Sequence, residues 1–227
     1  MNIYCIIPAR GGSKGVPRKN ILPFMDKPLI QHSIEYAQSS EWVNGIFVST
    51  DDQEISSISE HAGATVIQRP VELAGDAATT ESAIEHAISW WDERNLTPDI
   101  IVLLQATSPL RPDHSLGKAL KQFMDGKFDS MLSISPTHRF FWKIKGGHAQ
   151  AEYDYLNRPR RQDMTKEDIR YVENGSVYIF SHASFLKTKN RLGGSIGYTI
   201  FPEDYSLEID TEMDFKLLEN VANKLVQ

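Results

Sequence analysis

The 227-residue sequence has a single cysteine, Cys5, and contains no long hydrophobic run. One cysteine excludes an internal disulfide and a zinc cage made of several thiolates. No apolar stretch approaches the roughly 20 residues that are needed to cross a bilayer. The apolar run near the N-terminus is broken by Pro8 and lacks the basic start of a signal peptide. These absences predict a cytoplasmic protein that does not bind a membrane.

Basic residues are also outnumbered by acidic ones. The sequence has 24 lysines and arginines and 30 aspartates and glutamates, which gives a net charge of -6. This balance argues against nucleic acid as a partner, since such proteins present a basic face. Hydrophobic residues (41%) and charged residues (24%) are close to globular averages, which excludes disordered and fibrous classes. The length predicts a single domain over residues 1–227. An anionic ligand would therefore need a local cluster of cations.

Short apolar runs alternate with segments of helical period along the chain. Strands are predicted at residues 3–7, 46–48, 65–67, 100–104, 130–134, 177–180 and 199–201. Helices are predicted near residues 28–37, 53–61, 80–94, 115–124 and 183–188, and from about 211 to the C-terminus. This alternation is typical of βαβ units, so it predicts an α/β fold with a parallel sheet.

Residues 136–170 interrupt this alternation. The segment contains Phe140, Phe141 and Trp142 without a clear period, and a run of arginines at 158–161. Exposed aromatic residues beside arginines are typical of protein interfaces. We therefore predict an inserted arm over about 136–170. The alternative is a surface loop whose aromatic residues fold back onto the core.

A basic loop at residues 8–20 directly follows the first predicted strand. It holds four cations before the first carboxylate, Asp26: Arg10, Lys14, Arg18 and Lys19. In open α/β sheets, ligands bind beyond the carboxyl ends of the strands, where this loop must lie. The position favours phosphate binding by Arg10 and Lys14, because guanidinium and ammonium groups neutralise phosphate oxygens. A solvated basic loop is the alternative.

Three glycines in this loop, Gly11, Gly12 and Gly15, allow positive φ and close approach of the backbone. Several amide groups could then point at one anion. The loop does not end in the Gly-Lys-Ser/Thr of a Walker A motif, and it lacks the Gly-x-Gly-x-x-Gly of dinucleotide-binding proteins. We therefore expect an anion-binding loop of another type.

Five motifs in order resemble those of the acylneuraminate cytidylyltransferases, which make CMP-activated sialic-type acids from CTP. They are residues 9–15 (ARGGSKG) with Pro17, Lys19 and Asn20; 103–111 (LLQATSPLR); 160–163 (RRQD); 174–178 (NGSVY); and 206–211 (SLEIDT). The resemblance implies a Rossmann-like nucleotidyltransferase fold with a mostly parallel central sheet and helices on both faces. It also implies a homodimer whose inserted dimerisation arms reach across to the partner.

The resemblance implies roles for individual positions. Those implied to bind the nucleotide are Ala9, Arg10, Gly11, Gly12, Ser13, Lys14, Lys19, Asn20, Arg69 and Thr80. Those implied to bind the sugar are Gln105, Lys143, Arg160 and Tyr178, with Lys143 reaching a neighbouring subunit's site from the arm. Asp210 and Glu208 are implied to bind Mg²⁺, and Arg10, Lys19 and Asp210 to act in catalysis.

Several of these positions also have a structural interpretation. Arg69 precedes Pro70 and could be a surface turn residue, and Thr80 could cap the following helix. Gln105, at a strand end, suits recognition of a polyhydroxylated acid, but it could bond to backbone instead. Arg111 could bind phosphate or a sugar carboxylate, or it could form a structural ion pair.

Glu208 and Asp210 alternate with apolar residues, so on an extended chain both carboxylates point to one side. Such a pair suits Mg²⁺, which takes one or two carboxylates plus substrate phosphates. The family usually has Asp at position 208. The alternative is an N-cap for the last helix at 210–211, with Thr211 and Asp214 as a capping pair.

The predicted reaction is attack of the anomeric hydroxyl of a 2-ulosonic acid on the α-phosphorus of CTP, which releases pyrophosphate. Three other functions stay open: a sugar-1-phosphate nucleotidyltransferase, a metal-dependent glycosyltransferase using Asp51 and Asp52, and a non-catalytic nucleotide-sensing module. The Phe-Phe-Trp sequence at 140–142 differs from sialic-acid-specific relatives, so the identity of the acid is left open.

Overall fold

A computed structural model describes residues 1–225. The strands are β1 Ile3–Pro8, β2 Pro23–Phe24, β3 Lys27–Pro28, β4 Gly45–Thr50, β5 Thr65–Gln68, β6 Ile100–Leu104, β7 Ser130–Thr137, β8 Trp142–Lys145, β9 His148–Ala151, β10 Arg170–Ser181 and β11 Ile196–Ile200. The helices are α1 Leu29–Gln38, α2 Gln53–His61, α3 Thr80–Asp92, α4 Ser115–Gly126, α5 His182–Thr188 and α6 Glu212–Leu225. The predicted domain of residues 1–227 includes two residues outside this range.

The centre of the fold is a seven-stranded sheet in the order β11-β7-β10-β6-β1-β4-β5. Its neighbouring strands are parallel except where β10 pairs antiparallel with β6 and with β7. The predicted mostly parallel sheet is therefore confirmed. A two-stranded ribbon of β2 and β3 follows the basic loop.

Helices cover both faces of this sheet because successive side chains of each strand point to opposite sides. Ile3, Cys5 and Ile7 of β1 pack in one core cluster with residues of α1, α2 and α4. Tyr4 and Ile6 pack in a second cluster with residues of α3 and α5. All five residues of β6 are buried, as expected for a strand covered on both faces.

The helix starts follow local capping chemistry. Asp52 caps α2, where its carboxylate accepts from the backbone amides of Glu54 and Ile55. Thr79 caps α3, where its hydroxyl accepts from the amide of Ser82. Thr80 is the first residue of α3, so the interpretation of Thr80 as the helix cap is wrong. No helix within residues 1–225 is long and apolar enough to cross a membrane.

Most of residues 136–170 lies between β7 and β10 and includes a two-stranded sheet separate from the central one. β7 and β10 run further into it than the sequence pattern indicates, and β8 and β9 form a separate hairpin whose turn contains Gly146 and Gly147. Phe140 and Trp142 pack on Tyr153, with ring centroids 4.4 and 5.8 Å apart respectively. The aromatic residues of this arm therefore pack on one another, which argues against the interpretation that they fold back onto the core.

Candidate active site

A cavity of about 300 Å³ opens where the adjacent parallel strands β1 and β6 end. It is lined by Pro8, Arg10, Ser13, Lys14, Gly15, Lys19, Asn20, Thr80, Gln105, Ala106, Thr107 and Asp210. The carboxyl ends of parallel strands meet here, which is the usual ligand position in open α/β sheets. The basic loop forms one side of the cavity, and the segment before α6 contributes Asp210.

The cavity brings together many of the predicted site residues, namely Arg10, Ser13, Lys14, Lys19, Asn20, Thr80, Gln105 and Asp210. Pro8, Gly15, Ala106 and Thr107 also line it but are absent from the predicted set. They belong to the basic loop and to the second motif, so those motifs were the signal that could have identified them. Ala9, Gly11, Gly12, Arg69, Lys143, Arg160, Tyr178 and Glu208 do not line this cavity.

Lys19 links the basic loop to the segment before α6. Its ammonium donates to the carbonyl oxygen of Ile209 and lies 3.5 Å from Asp210 Oδ1. Lys19 is 8% exposed, whereas the side chain of Asp210 is 75% exposed. The Asn20 carboxamide donates to the carbonyl oxygen of Arg10 over 3.0 Å and fixes the opposite end of the loop. A buried cation therefore lies beside an accessible carboxylate.

Two of the three glycines of the basic loop, Gly11 and Gly15, are required for close approach. The prediction of positive φ is wrong for Gly11, Gly12 and Gly15, and the left-handed residue of the loop is Arg18, with φ 57°. A Cβ at position 11 would lie 2.7 Å from Asp52 Oδ2, and one at position 15 would overlap the carbonyl oxygen of Asp210. The basic loop packs closely against Asp52 and Asp210, so there is no room for a side chain at positions 11 and 15.

Backbone amides of the loop are partly occupied. The Gly11 amide donates to Asp51 Oδ1 over 2.9 Å, and the amide of buried Ala9 donates to the carbonyl oxygen of Ser49. These two amides therefore do not face an open anion site. The acidic pair Asp51–Asp52 shapes the loop, with Asp52 also pairing with Arg18.

Two cations of the cavity share one carboxylate, that of Asp76. Lys14 Nζ lies 2.8 Å from Asp76 Oδ2, and Arg10 Nη1 lies 3.4 Å from Asp76 Oδ1 and donates to the carbonyl oxygen of Gly75. Pairing with Lys14 lowers the pKa of Asp76. These pairs are exposed, and exposed ion pairs are weak. A ligand that carries more negative charge than one carboxylate is therefore able to displace Asp76 from Arg10 and Lys14.

Arg69 lies behind the basic loop and is 6% exposed. Its guanidinium donates to the hydroxyl and the carbonyl oxygen of Ser49, over 3.0 and 2.6 Å. Burial lowers the pKa of Arg69. The interpretation as a surface turn residue is therefore wrong, and the observed role of Arg69 is to hold the end of β4.

Arg111 is buried as well, and the ion-pair interpretation is wrong. Within residues 1–225 no carboxylate pairs with it, and its guanidinium donates to neutral oxygens. It also does not line the cavity.

Gln105 and Glu208 converge on Gly175, which has φ 63°. A Cβ at position 175 would lie 2.7 Å from Gln105 Oε1 and would overlap the carboxylate of Glu208. Burial raises the pKa of Glu208, and the charges of Asp210 and Glu173 raise it further. The Gln105 carboxamide thus lies between the cavity and an acidic cluster.

The carboxylates of Glu208 and Asp210 fit a divalent cation. The two carboxylates repel each other, and Glu208 is partly buried. The positive charge of Lys19 offsets only part of their negative charge. No group of three or more potential metal ligands occurs within residues 1–225. Thr211 and Asp214 form the predicted capping pair, with the Thr211 amide 2.7 Å from Asp214 Oδ2. Because this cap lies after position 210, Asp210 keeps its place in the cavity wall.

The remaining predicted sugar-binding residues lie apart from the cavity. Lys143 and Arg160 are exposed in the arm, where they pair with Glu152 and Asp163. Tyr178 is buried and its hydroxyl bonds to the carboxylate of Glu173. None of these three side chains lines the cavity that contains Gln105.

We expect Glu208→Gln to stabilise the protein at neutral pH. The raised pKa means that folding opposes ionisation of Glu208, so its charged form costs stability above that pKa. Below the pKa of the unfolded state, Glu208 is protonated in both states and this cost disappears. Thermal unfolding in EDTA should therefore give a higher midpoint for the variant at pH 7.5 and a smaller difference near pH 4. An equal or lower midpoint at pH 7.5 would contradict the burial effect.

A sequence profile of the cytidylyltransferase family matches residues 4–226. The chain is 32% identical to an N-acylneuraminate cytidylyltransferase of Escherichia coli O18:K1:H7, over 98% of this chain and 52% of that protein. It is 36% identical to N-acylneuraminate cytidylyltransferase A of Danio rerio, over 96% and 50%. The chain therefore spans about half the length of these curated relatives. It is 31% identical to a pseudaminic acid cytidylyltransferase of Campylobacter jejuni, over 95% of this chain and 94% of that protein.

Solved structures share the fold. A CMP:2-keto-3-deoxy-manno-octonic acid synthetase complexed with CTP aligns with a TM-score of 0.71 at 17% identity, over 99% of this chain and 100% of that chain. A 4-diphosphocytidyl-2C-methyl-D-erythritol synthase aligns with a TM-score of 0.68 at 12% identity, over 97% and 99%. The predicted Rossmann-like nucleotidyltransferase fold is confirmed. The profile match over residues 4–226 and the similarity to the curated cytidylyltransferases establish that the chain belongs to the cytidylyltransferase family.

Proposed function

We propose that this protein transfers CMP from CTP to the anomeric hydroxyl of a sialic-acid-like 2-ulosonic acid and releases pyrophosphate. The observation that carries the proposal is the cavity in which Arg10, Lys14 and Lys19 meet Asp210. A basic loop opposite a carboxylate suits a nucleoside triphosphate with its divalent cation. The named relatives act as cytidylyltransferases on acids of this type.

The triphosphate would lie along the basic loop. Arg10 and Lys14 would exchange their exposed pairs with Asp76 for phosphate oxygens, which carry more charge than one carboxylate. Thr80, at the start of α3, and Asn20 would contact the nucleoside, as they line the same cavity. Arg69 would act from behind the loop by holding β4.

Asp210 would hold Mg²⁺, with Glu208 as a second carboxylate. The bound ion would lower the pKa of the acceptor hydroxyl and offset charge on the α-phosphate. Lys19 lies beside Asp210 and would keep its carboxylate oriented toward the cavity. Glu208 would lose its unfavourable charge repulsion when the cation binds.

The reaction would exchange one phosphorus–oxygen bond for another. The acceptor oxygen bonds to the α-phosphorus while the bond from that phosphorus to the oxygen bridging to the β-phosphate breaks. Pyrophosphate leaves with the electron pair, and the hydroxyl proton passes to solvent. Arg10 and Lys19 would stabilise the charge that builds on the transferred phosphate and on pyrophosphate.

The acceptor would bind beside Gln105, whose carboxamide both donates and accepts hydrogen bonds. Lys143 and Arg160 would reach an acceptor only in a homodimer, because both lie in the arm away from this chain's cavity. We therefore also propose a homodimer in which each arm serves the partner's cavity.

Pyrophosphate release tests this function. CTP, GTP, UTP and ATP are each combined with Mg²⁺ and with sialic, legionaminic, pseudaminic, deaminated sialic and octulosonic acids, and with a sugar 1-phosphate. We expect release with CTP and one nine-carbon acid, and at least about 100-fold lower kcat/KM with the other nucleotides. Release only with GTP and a sugar 1-phosphate would instead identify a sugar-1-phosphate nucleotidyltransferase. Binding of CTP without release for any acid would identify a nucleotide-sensing module.

A further inference from the structure

Arg111 is a buried cation that the proposed reaction does not use. It follows β6 at the end of the second motif and is 7% exposed. Its guanidinium lies over the ring of Tyr36, 5.0 Å from the centroid. Burial lowers the pKa of Arg111 to about 10, so the side chain is still charged at neutral pH.

The hydrogen bonds of Arg111 join three separate elements near the cavity. Nη2 donates to the carbonyl oxygen of Gln105 over 2.8 Å, immediately after β6. Nε and Nη2 donate to the carbonyl oxygen of Ser176 over 3.3 and 3.2 Å, at the register shift of β10. Nη1 donates to Ser33 Oγ over 3.1 Å, on α1. One planar group thus fixes the backbone at Gln105 and at Ser176, the residue after Gly175.

Stability alone does not account for this arrangement. A buried charge without a partner of opposite charge costs free energy, and an apolar side chain of similar volume is often at least as stabilising. What an apolar side chain lacks is a fork of donors with fixed directions. The Arg111 guanidinium donates to the carbonyl oxygens of Gln105 and Ser176. Ser176 follows Gly175, the residue on which the side chains of Gln105 and Glu208 converge.

We propose that Arg111 is a positioning residue for the acceptor, which acts through the backbone of Gln105. By holding the carbonyls of residues 105 and 176, it sets the Gln105 carboxamide at the angle from which it contacts the acceptor hydroxyls. This inference rests on the proposed function. It assigns Arg111 to recognition of the acceptor acid, whereas the basic loop serves CTP.

Arg111→Lys tests the proposal because it keeps the charge and removes the fork. We expect kcat/KM for the acceptor acid to fall about 10–100-fold while the Kd for CTP, measured by calorimetry, changes less than twofold. Arg94→Lys is the matched control, since Arg94 is an exposed arginine that also lies over an aromatic ring, that of Trp90. It should leave both values unchanged. An equal loss in CTP affinity would overturn the assignment to the acceptor.

A double-mutant cycle with Gln105→Ala separates positioning from general destabilisation. If Arg111 acts through Gln105, the double variant should be no slower with the acceptor than Gln105→Ala alone. Losses that multiply would overturn the proposal. If Arg111→Lys fails to fold, Ser33→Ala removes one acceptor of the same fork and should give a smaller loss in the same direction.

Failure of the proposed function would be visible separately, as absence of pyrophosphate release by the unmodified protein. In that event the carbonyl carbon-13 resonances of Gln105 and Ser176 still test the placement of Arg111. Both should shift in Arg111→Lys relative to Arg94→Lys, because both carbonyls lose a guanidinium donor. Unchanged resonances would overturn the inference whatever reaction the protein catalyses.

Discussion

Asp210→Ala is expected to lower kcat for CMP transfer about 1000-fold, while the variant still folds. Loss of the carboxylate proposed to hold Mg²⁺ would remove several kcal/mol of transition-state stabilisation, and each 1.36 kcal/mol is tenfold in rate. The side chain is 75% exposed and its contact with Lys19 spans 3.5 Å, so the fold depends little on it. Steady-state pyrophosphate release at saturating CTP and acceptor measures the effect.

Asp204→Ala is the control for loss of one nearby carboxylate. Asp204 is exposed and does not line the cavity, so turnover should stay near that of the unmodified protein. Circular dichroism should show that both variants are folded. Near-normal turnover of Asp210→Ala at saturating Mg²⁺ would refute the assignment of Asp210 as the metal ligand.

Gly15→Ala is expected to abolish most activity and to destabilise the fold. The added Cβ would overlap the carbonyl oxygen of Asp210, and a backbone atom has no flexible side chain to move aside. Either the basic loop or the segment carrying Asp210 must shift. Overpacking of this kind costs about 1–3 kcal/mol, which corresponds to a midpoint lower by roughly 2–12 °C in a chain of this size. Thermal unfolding and pyrophosphate release measure the two effects.

Gly117→Ala supplies a matched control with the same added methyl group. Gly117 lies in α4, and its nearest neighbours to a new Cβ are Ser40 and Trp42 at 3.8 and 3.9 Å, an ordinary contact. The substitution should raise stability by up to about 1 kcal/mol through helix propensity and leave turnover unchanged. If Gly15→Ala were as active and as stable as Gly117→Ala, the close contact between the basic loop and Asp210 would not exist in solution.

The sequence was informative where local chemistry decides the outcome. The buried run of β6 and the parallel βαβ pattern depend on residue type and spacing, and the structure has them as predicted. The position of the basic loop after β1 follows from chain order, since the next residues must emerge at the carboxyl end of that strand. Five ordered motifs then identified the family.

Contacts between residues that are distant in sequence were harder to predict from the sequence. From the sequence, Arg69 could be a surface turn residue and Arg111 could form an ion pair. In the structure both are buried and donate to neutral oxygens. The glycines of the basic loop were expected to serve both positive φ and close approach, but only the close approach is found, at Gly11 and Gly15. Each error concerns a neighbour that is distant in sequence, which composition and spacing do not identify.

The amino-acid sequence by itself determined the family, the mostly parallel sheet and the cationic loop, because these depend on hydrophobic period and on residues adjacent in the chain. Only the tertiary structure decided which cations are available to a ligand. It pairs Arg10 and Lys14 with Asp76, buries Lys19 beside Asp210 and directs Arg111 to carbonyl oxygens. Burial and long-range proximity set the electrostatics of a charged side chain, and both arise only when the elements pack.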